Sequence, residues 1–252
     1  MKGYKALRKS MRSIYGNIVY KLDKEYSIEG ELKMCKNGYH FCKELINVFT
    51  YYPLDSRVFE IDTLDGEIKK DNEFDKYCTN KIKLVREISK EEINEYIKNN
   101  LDEFTYNKNW RARLVTAQLG YNLDILINDK NTYIRAEVAR QGYGLDTLIN
   151  DEDFIVRAEV AKQGYGLDKL VNDKDSYVLL HVIEQNYGLD KFINSEDSFI
   201  RKSVAKQGYG LDKLINDEDP NVRVEVARQG YGLDTLINDK DQLVRIIASE
   251  NL

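Results

Sequence analysis

Asp219-Pro220-Asn221-Val222-Arg223-Val224-Glu225-Val226-Ala227-Arg228-Gln229-Gly230-Tyr231-Gly232-Leu233-Asp234 is one full statement of the pattern that governs most of this chain. Asp219 suits a helix N-cap, because its carboxylate can accept from the free N–H groups of a first turn. Pro220 follows at the first helical position, where a missing N–H costs nothing. Val222, Val226 and Ala227 then share one face. Gly230 ends the helix, since glycine takes the left-handed conformation a helix terminus requires. The piece from Leu233 to Asn238 is too short for more than a turn or two. One unit is therefore a helix of about ten residues and a short helical turn.

The same phrase recurs up the chain. Tyr121, Tyr143, Tyr165, Tyr187, Tyr209 and Tyr231 stand 22 residues apart at every step. Fixed self-similarity marks a repeat architecture, in which each unit buries its apolar face only against its neighbours. A degenerate first unit starts near Asn99: Leu101-Asp102-Glu103-Phe104 fits the Leu-Asp-x-Leu phrase, and Arg113, Ala117 and Gly120 fall in register. Tyr106 and Trp110 replace smaller residues there, as in a capping repeat that contacts another domain. The expected organisation is a small α+β domain over residues 1–98, followed by an all-α solenoid of about seven repeats over residues 99–252.

Asp219-Pro220-Asn221-Val222-Arg223-Val224-Glu225-Val226-Ala227 resembles the leucine-rich-variant and HEAT-like repeats of bacterial proteins. That resemblance implies a right-handed superhelix and a binding scaffold, and it implies no reaction. The 22-residue period is shorter than is usual for those repeats.

Invariant columns read as structure. Leu123, Leu145, Leu167, Leu189, Leu211 and Leu233 are expected in the core, and the Asp that follows each is expected to cap the short turn. Arg135, Arg157, Arg201, Arg223 and Arg245 form a ladder expected to pair with Asp of adjacent repeats. The Tyr and Gln columns form ridges, or an exposed aromatic ladder. Specificity is expected where units differ, at the helix starts: Tyr133, Phe154, Ile155, Tyr177, Phe199 and Leu243 are candidate partner-binding residues, with gap filling as the alternative. One repeat is irregular. It reads Val178-Leu179-Leu180-His181-Val182-Ile183, and Asn186 stands where the others have the helix-ending Gly. Leu179 and His181 join the candidates as a bend or contact site. His181 has no second histidine near it in sequence, which argues against metal or catalytic work.

Residues 1–98 show no repeat. Alternation predicts strands over 4–7, 31–35, 39–42, 57–61 and 81–86, and a helix over 44–49. Ser89-Lys90-Glu91-Glu92 is a capping box opening a helix to about Lys98. Cys35-Lys36-Asn37-Gly38-Tyr39-His40-Phe41-Cys42, with Tyr51-Tyr52-Pro53 and residues 79–87, resembles a short uncharacterised domain of phage and prophage proteins. That resemblance implies a mobile-element setting and no assigned activity. Cys35, His40, Cys42 and Cys78 are a conceivable zinc set, without the tight Cys-x2-Cys spacing. The order of strands, with Glu60 and Asp62 on a later one, also resembles ADP-ribosyltransferase-like folds, but the Ser-Thr-Ser phrase and a catalytic Glu pair are missing. No P-loop, dinucleotide fingerprint or nucleophile elbow occurs, so neither a catalytic residue nor a cofactor is expected.

Charge narrows the partner. Residues 101–252 carry 19 Lys and Arg against 26 Asp and Glu, a net of −7, while residues 1–100 carry +2. An acidic array is unsuited to a phosphate backbone and suited to a protein with a basic surface. No apolar run approaches membrane-spanning length. Three cysteines and no leader-like start fit a cytoplasmic setting. The function expected is a non-enzymatic, phage- or prophage-encoded scaffold that occludes a host protein, such as a nucleic-acid-handling defence factor. Alternatives are an ADP-ribosyltransferase-like enzyme whose solenoid selects substrate, and a nucleic-acid-binding solenoid.

Overall fold

The computed structural model describes residues 1–14, 17–34, 36–71 and 75–252. Packing divides the chain into two compact units, Met1–Leu126 and Ile127–Leu252.

The first unit carries two antiparallel sheets. In the larger, β1 (Lys2–Leu7), β4 (Arg57–Asp62), β7 (Lys81–Ile88) and β2 (Glu25–Ser27) lie side by side in the order β1-β4-β7-β2. In the smaller, β3 (Tyr39–Phe41) pairs with β6 (Tyr77–Thr79), which pairs with β5 (Ile68–Lys70). The sheets are stitched where Tyr4 and Cys42 exchange backbone hydrogen bonds of 2.7 and 2.8 Å. Alternation along β4 and β7 sends Phe59, Ile61, Ile82 and Leu84 into one core with Leu7, Tyr20 and Phe41. A second core forms around α1 (Leu45–Phe49), joined by α2 (Lys90–Asn99), α3 (Leu101–Thr105) and α4 (Trp110–Gln118) through Ile97, Phe104, Ala112 and Val115. The capping box at Ser89 forms as read, its hydroxyl accepting from Glu92 N–H while the Glu92 carboxylate accepts from Ser89 N–H.

Three features differ from the sequence reading. The strand expected over 31–35 does not form across 31–34, where Lys33 pairs instead with Asn37, and Cys35 lies outside the described residues. The short strands β2, β5 and β6 were not among those read from the sequence. Tyr106 does not make the capping contact. It is 68% exposed, and Phe104 and Ala112 are buried instead.

His40 gives this unit a measurable acid sensitivity. Burial, then Lys76 and Lys5, push its imidazole down to about 4. The unfolded chain takes up this proton near pH 6.5 and the folded chain only near pH 4. Stability is therefore lost as pH falls from about 6.5 to about 4. Denaturant titrations across that window are expected to show a shallower decline for His40→Gln.

The second unit is an array of regularly spaced helices. α6 (Thr132–Arg140), α8 (Phe154–Lys162), α10 (Ser176–Glu184), α12 (Ser198–Lys206), α14 (Pro220–Arg228) and α16 (Gln242–Glu250) are each nine residues long. Between them lie the four-residue helices α7 (Leu145–Leu148), α9 (Leu167–Leu170), α11 (Leu189–Phe192), α13 (Leu211–Leu214) and α15 (Leu233–Leu236); α5 (Leu123–Leu126), in the first unit, is of the same kind. Asn131, Asp153, Asp175, Asp197, Asp219 and Asp241 cap the long helices, each accepting from the N–H two residues on. At the other end of α14, Gly230 N–H donates to Ala227 O and Tyr231 N–H to Val226 O, a Schellman motif. Asn186 closes α10 in the same way at φ 56°.

Two columns act otherwise than expected. The short helices are not capped by Asp: their N-cap is a left-handed glycine such as Gly144 or Gly210, and Asp146 or Asp212 is exposed in the first turn, where its charge complements the N–H dipoles. The Leu column is half-buried except at Leu189; the fully buried positions are Leu148, Leu170, Phe192, Leu214 and Leu236, three residues on.

The arginine ladder joins successive repeats. Arg135 clasps Asp151, Arg157 clasps Asp173, Arg201 clasps Asp217 and Arg223 clasps Asp239, each through paired 2.7–2.9 Å bonds across 16 residues. Each guanidinium also donates to a backbone carbonyl six residues before it, as Arg223 does to Asp217 O at 2.6 Å. The irregular repeat lacks both halves of its rung: Leu179 replaces the Arg, and Ser195, 16 residues on, replaces the Asp.

Candidate partner-binding face

The N-caps decide what the helix starts present. Each cap carboxylate or amide holds the N–H of the second helical residue, so the residue at that position is fixed in backbone while its side chain projects over the helix terminus. The column reads Tyr133, Ile155, Tyr177, Phe199, Asn221 and Leu243. Tyr133 is 58% and Phe199 57% exposed; Tyr177 and Leu243 are exposed and Ile155 half-buried. Phe154, one position earlier, is exposed and meets Tyr177 edge-on at 5.9 Å.

One turn further along, buried acids line up beneath this apolar rail. Glu137, Glu159 and Glu225 are each matched by a basic residue three positions on, Arg140, Lys162 and Arg228. Arg140 also reaches Glu159 of the next repeat at 3.1 Å. The irregular repeat reverses the polarity. His181 takes the acid's place and its Nδ1 lies 2.6 Å from Glu184, which takes the base's place. His181 is 9% exposed, stacks edge-on against Tyr177 at 4.8 Å, and has a buried Nε2 without a hydrogen-bond partner. In the following repeat Ser203 replaces the acid, and Ser203 donates to Phe199 O.

A groove of about 310 Å³ lies here, lined by Tyr177, His181 and Glu184 of α10, Phe199 and Lys202 of α12, and Glu225 of α14, among others. Of the candidate residues, the groove gathers Tyr177, His181 and Phe199. Tyr133, Phe154, Ile155 and Leu243 do not line it, and Leu179 stands in the ladder column instead. Lys202 and Lys206 went unnoticed in the sequence. The signal was available for Lys202, since the fifth helical position is apolar in the other five long helices; Lys206 is the base usual at the ninth.

Two further columns reach solvent. Tyr143, Tyr165, Tyr187, Tyr209 and Tyr231 are all 40–42% exposed, an aromatic ladder at one geometric site. The Gln column is tied down: Gln163, Gln185 and Gln229 each donate to a carbonyl of the preceding long helix, 23 residues back.

In the first unit, His40 and Cys78 are register partners across β3 and β6, and Cys42 follows on the β3 side. Cys42 is buried, and burial pushes its thiol up to about 12. Among the described residues no three His, Cys, Asp or Glu side chains cluster as metal ligands. Glu60 accepts from Arg86 at 2.6 Å, and Asp62 holds Leu64 N–H at 2.9 Å. No helix among the described residues is long and apolar enough to cross a membrane.

Residues 1–97 match the model of a domain of unknown function, DUF7666. That match takes in both sheets and ends within α2, ahead of the helical array. No curated protein matches the chain.

Proposed function

We propose that this protein is a non-enzymatic binding scaffold whose helices stack as a right-handed α-solenoid and hold a partner protein along the apolar rail of helix starts. The observation that carries this reading is the row of exposed aromatic and aliphatic side chains at the second helical position, Tyr133, Tyr177, Phe199 and Leu243, each held by its N-cap. Large apolar groups repeated on an otherwise charged surface are the composition of an interface hot spot. The net charge of −7 over residues 101–252 favours a partner with a basic surface, such as the channel of a nucleic-acid-handling protein. Occlusion of such a host protein by a phage- or prophage-encoded scaffold belongs to the same proposal and rests on the resemblance of the first domain.

The test is capture from bacterial lysate by the full chain and by a Tyr133→Ser/Tyr177→Ser/Phe199→Ser variant. All three positions are exposed, so the variant is expected to fold. The expected result is a stoichiometric protein partner, released by salt, with affinity reduced at least about tenfold in the variant. No stoichiometric partner, or capture indifferent to the variant, sinks the reading. Retardation of DNA or RNA by the purified protein at physiological salt would replace it with nucleic-acid binding.

A further inference from the structure

The six long helices α6 to α16 meet at five boundaries, and four of these carry an Arg–Asp rung. The boundary between α10 and α12 does not, because Leu179 and Ser195 stand where its two halves belong. It also lacks the glutamine tie. Gln163, Gln185 and Gln229 reach back to a carbonyl of the preceding long helix, whereas Gln207 makes no such bond to Glu184 O. The cause is local. Gly164 and Gly208 leave room for the tie, with Gln185 Oε1 and Gln229 Oε1 each 3.8 Å from where a Cβ would stand. The equivalent site before Gln207 is Asn186, left-handed at φ 56°, and its Cβ stands in that room.

The remaining links fail at the same place. Arg140 crosses from α6 to Glu159 of α8, but in α12 Ser203 replaces the acid. Phe154 meets Tyr177 across the boundary between α8 and α10, but Tyr177 and Phe199 make no ring contact across the next. Among the described residues, no hydrogen bond or ion pair joins α10 to α12. The two helices still pack on each other, with Val182, Ile183, Ile200 and Val204 buried. Apolar contact is non-directional, whereas a bidentate ion pair fixes geometry. In a linear array each boundary is only as stiff as its own contacts make it.

We propose that the boundary between α10 and α12 is a hinge, about which α6, α8 and α10 move as one block against α12, α14 and α16 as another. Each block keeps two rungs. The motion changes the gap between Tyr177 and Phe199, which line the groove from opposite blocks, and leaves the helices within each block fixed.

The experiment is a pulsed electron–electron distance measurement on the full chain. Nitroxides are attached at p-acetylphenylalanine, which leaves the native cysteines untouched. One pair replaces Glu152 and Glu196 and spans the hinge; the other replaces Glu196 and Lys240 and spans only boundaries with rungs. All three side chains are exposed, lie just before an N-cap, and are separated by two units in each pair. The first distance distribution is expected to be at least about twofold broader than the second. A Leu179→Arg/Asn186→Gly/Ser195→Asp variant restores the rung and the room for the tie, and is expected to narrow the first distribution towards the second. Equal widths in the parent, or a folded variant as broad as the parent, would overturn the proposal. Should the variant not fold, the comparison within the parent still decides. Neither result bears on whether the array holds a partner, which a stiff array and a jointed one can do alike.

Discussion

Arg223→Ala is expected to cost the helical array about 3–5 kcal/mol, the range for a buried ion pair stripped of one partner. The Arg223 and Asp239 side chains are only 4% and 9% exposed, and the guanidinium makes two bonds to the carboxylate and more to backbone carbonyls. Its removal leaves Asp239 buried without its counter-charge. The hydrogen bond from Arg223 holds the Asp239 carboxyl below the usual carboxylate range. The rung's contribution is therefore complete above the unfolded carboxylate value of about 4 and is lost as pH falls through the lower folded one. Urea unfolding at pH 7 and at pH 3 is expected to show a large gap between parent and variant at the first and a smaller gap at the second.

The missing rung supplies the converse test. Leu179→Arg alone introduces a cation with no acid opposite. Ser195→Asp alone introduces an acid that can still accept from Asp197 N–H, as Asp217 does from Asp219 N–H. Together they rebuild the pair found at four neighbouring sites. A double-mutant cycle is expected to give a favourable coupling of about 1–3 kcal/mol. Additive effects would show that the ladder does not couple the repeats.

The second large effect separates two glycines of one phrase. Gly208 and Gly210 both have positive φ, 73° and 63°. A Cβ on Gly208 would meet nothing closer than the flexible Gln229 amide at 3.8 Å, whereas one on Gly210 would fall on Ile193 Cδ1. Gly208→Ala is expected to cost about 1–2 kcal/mol for the left-handed backbone alone. Gly210→Ala adds overpacking against the preceding short helix, a further ~1–3 kcal/mol. Thermal unfolding of the two variants should rank them in that order. Equal losses would mean that Ile193 yields without cost, and that the close approach is not what keeps glycine there.

Much of the array was legible because its physics is local. Asp at the cap, Gly at the terminus and Val four apart each report a geometry that a short stretch of chain decides for itself. The Arg–Asp rung was also foreseeable, since both residues recur at the same period. What could not be read was direction. The Leu of each Leu-Asp-x-Leu phrase and the Leu three residues later are equally apolar, and only packing settles that Leu148 and Leu214 go fully inside while Leu145 and Leu211 stay at the margin. The groove beside His181 was half legible: its irregular repeat stood out, but its lysines come from the following one.

Every rung joins a residue to another 16 positions on, and every Gln tie reaches 23 positions back. Neither spans more than one boundary between units. Excision of any 22 consecutive residues within the regular part therefore brings equivalent partners back into register. The chain can lengthen or shorten by whole units through unequal recombination while keeping its internal bonds, so the length of the array is open to adjustment in discrete steps.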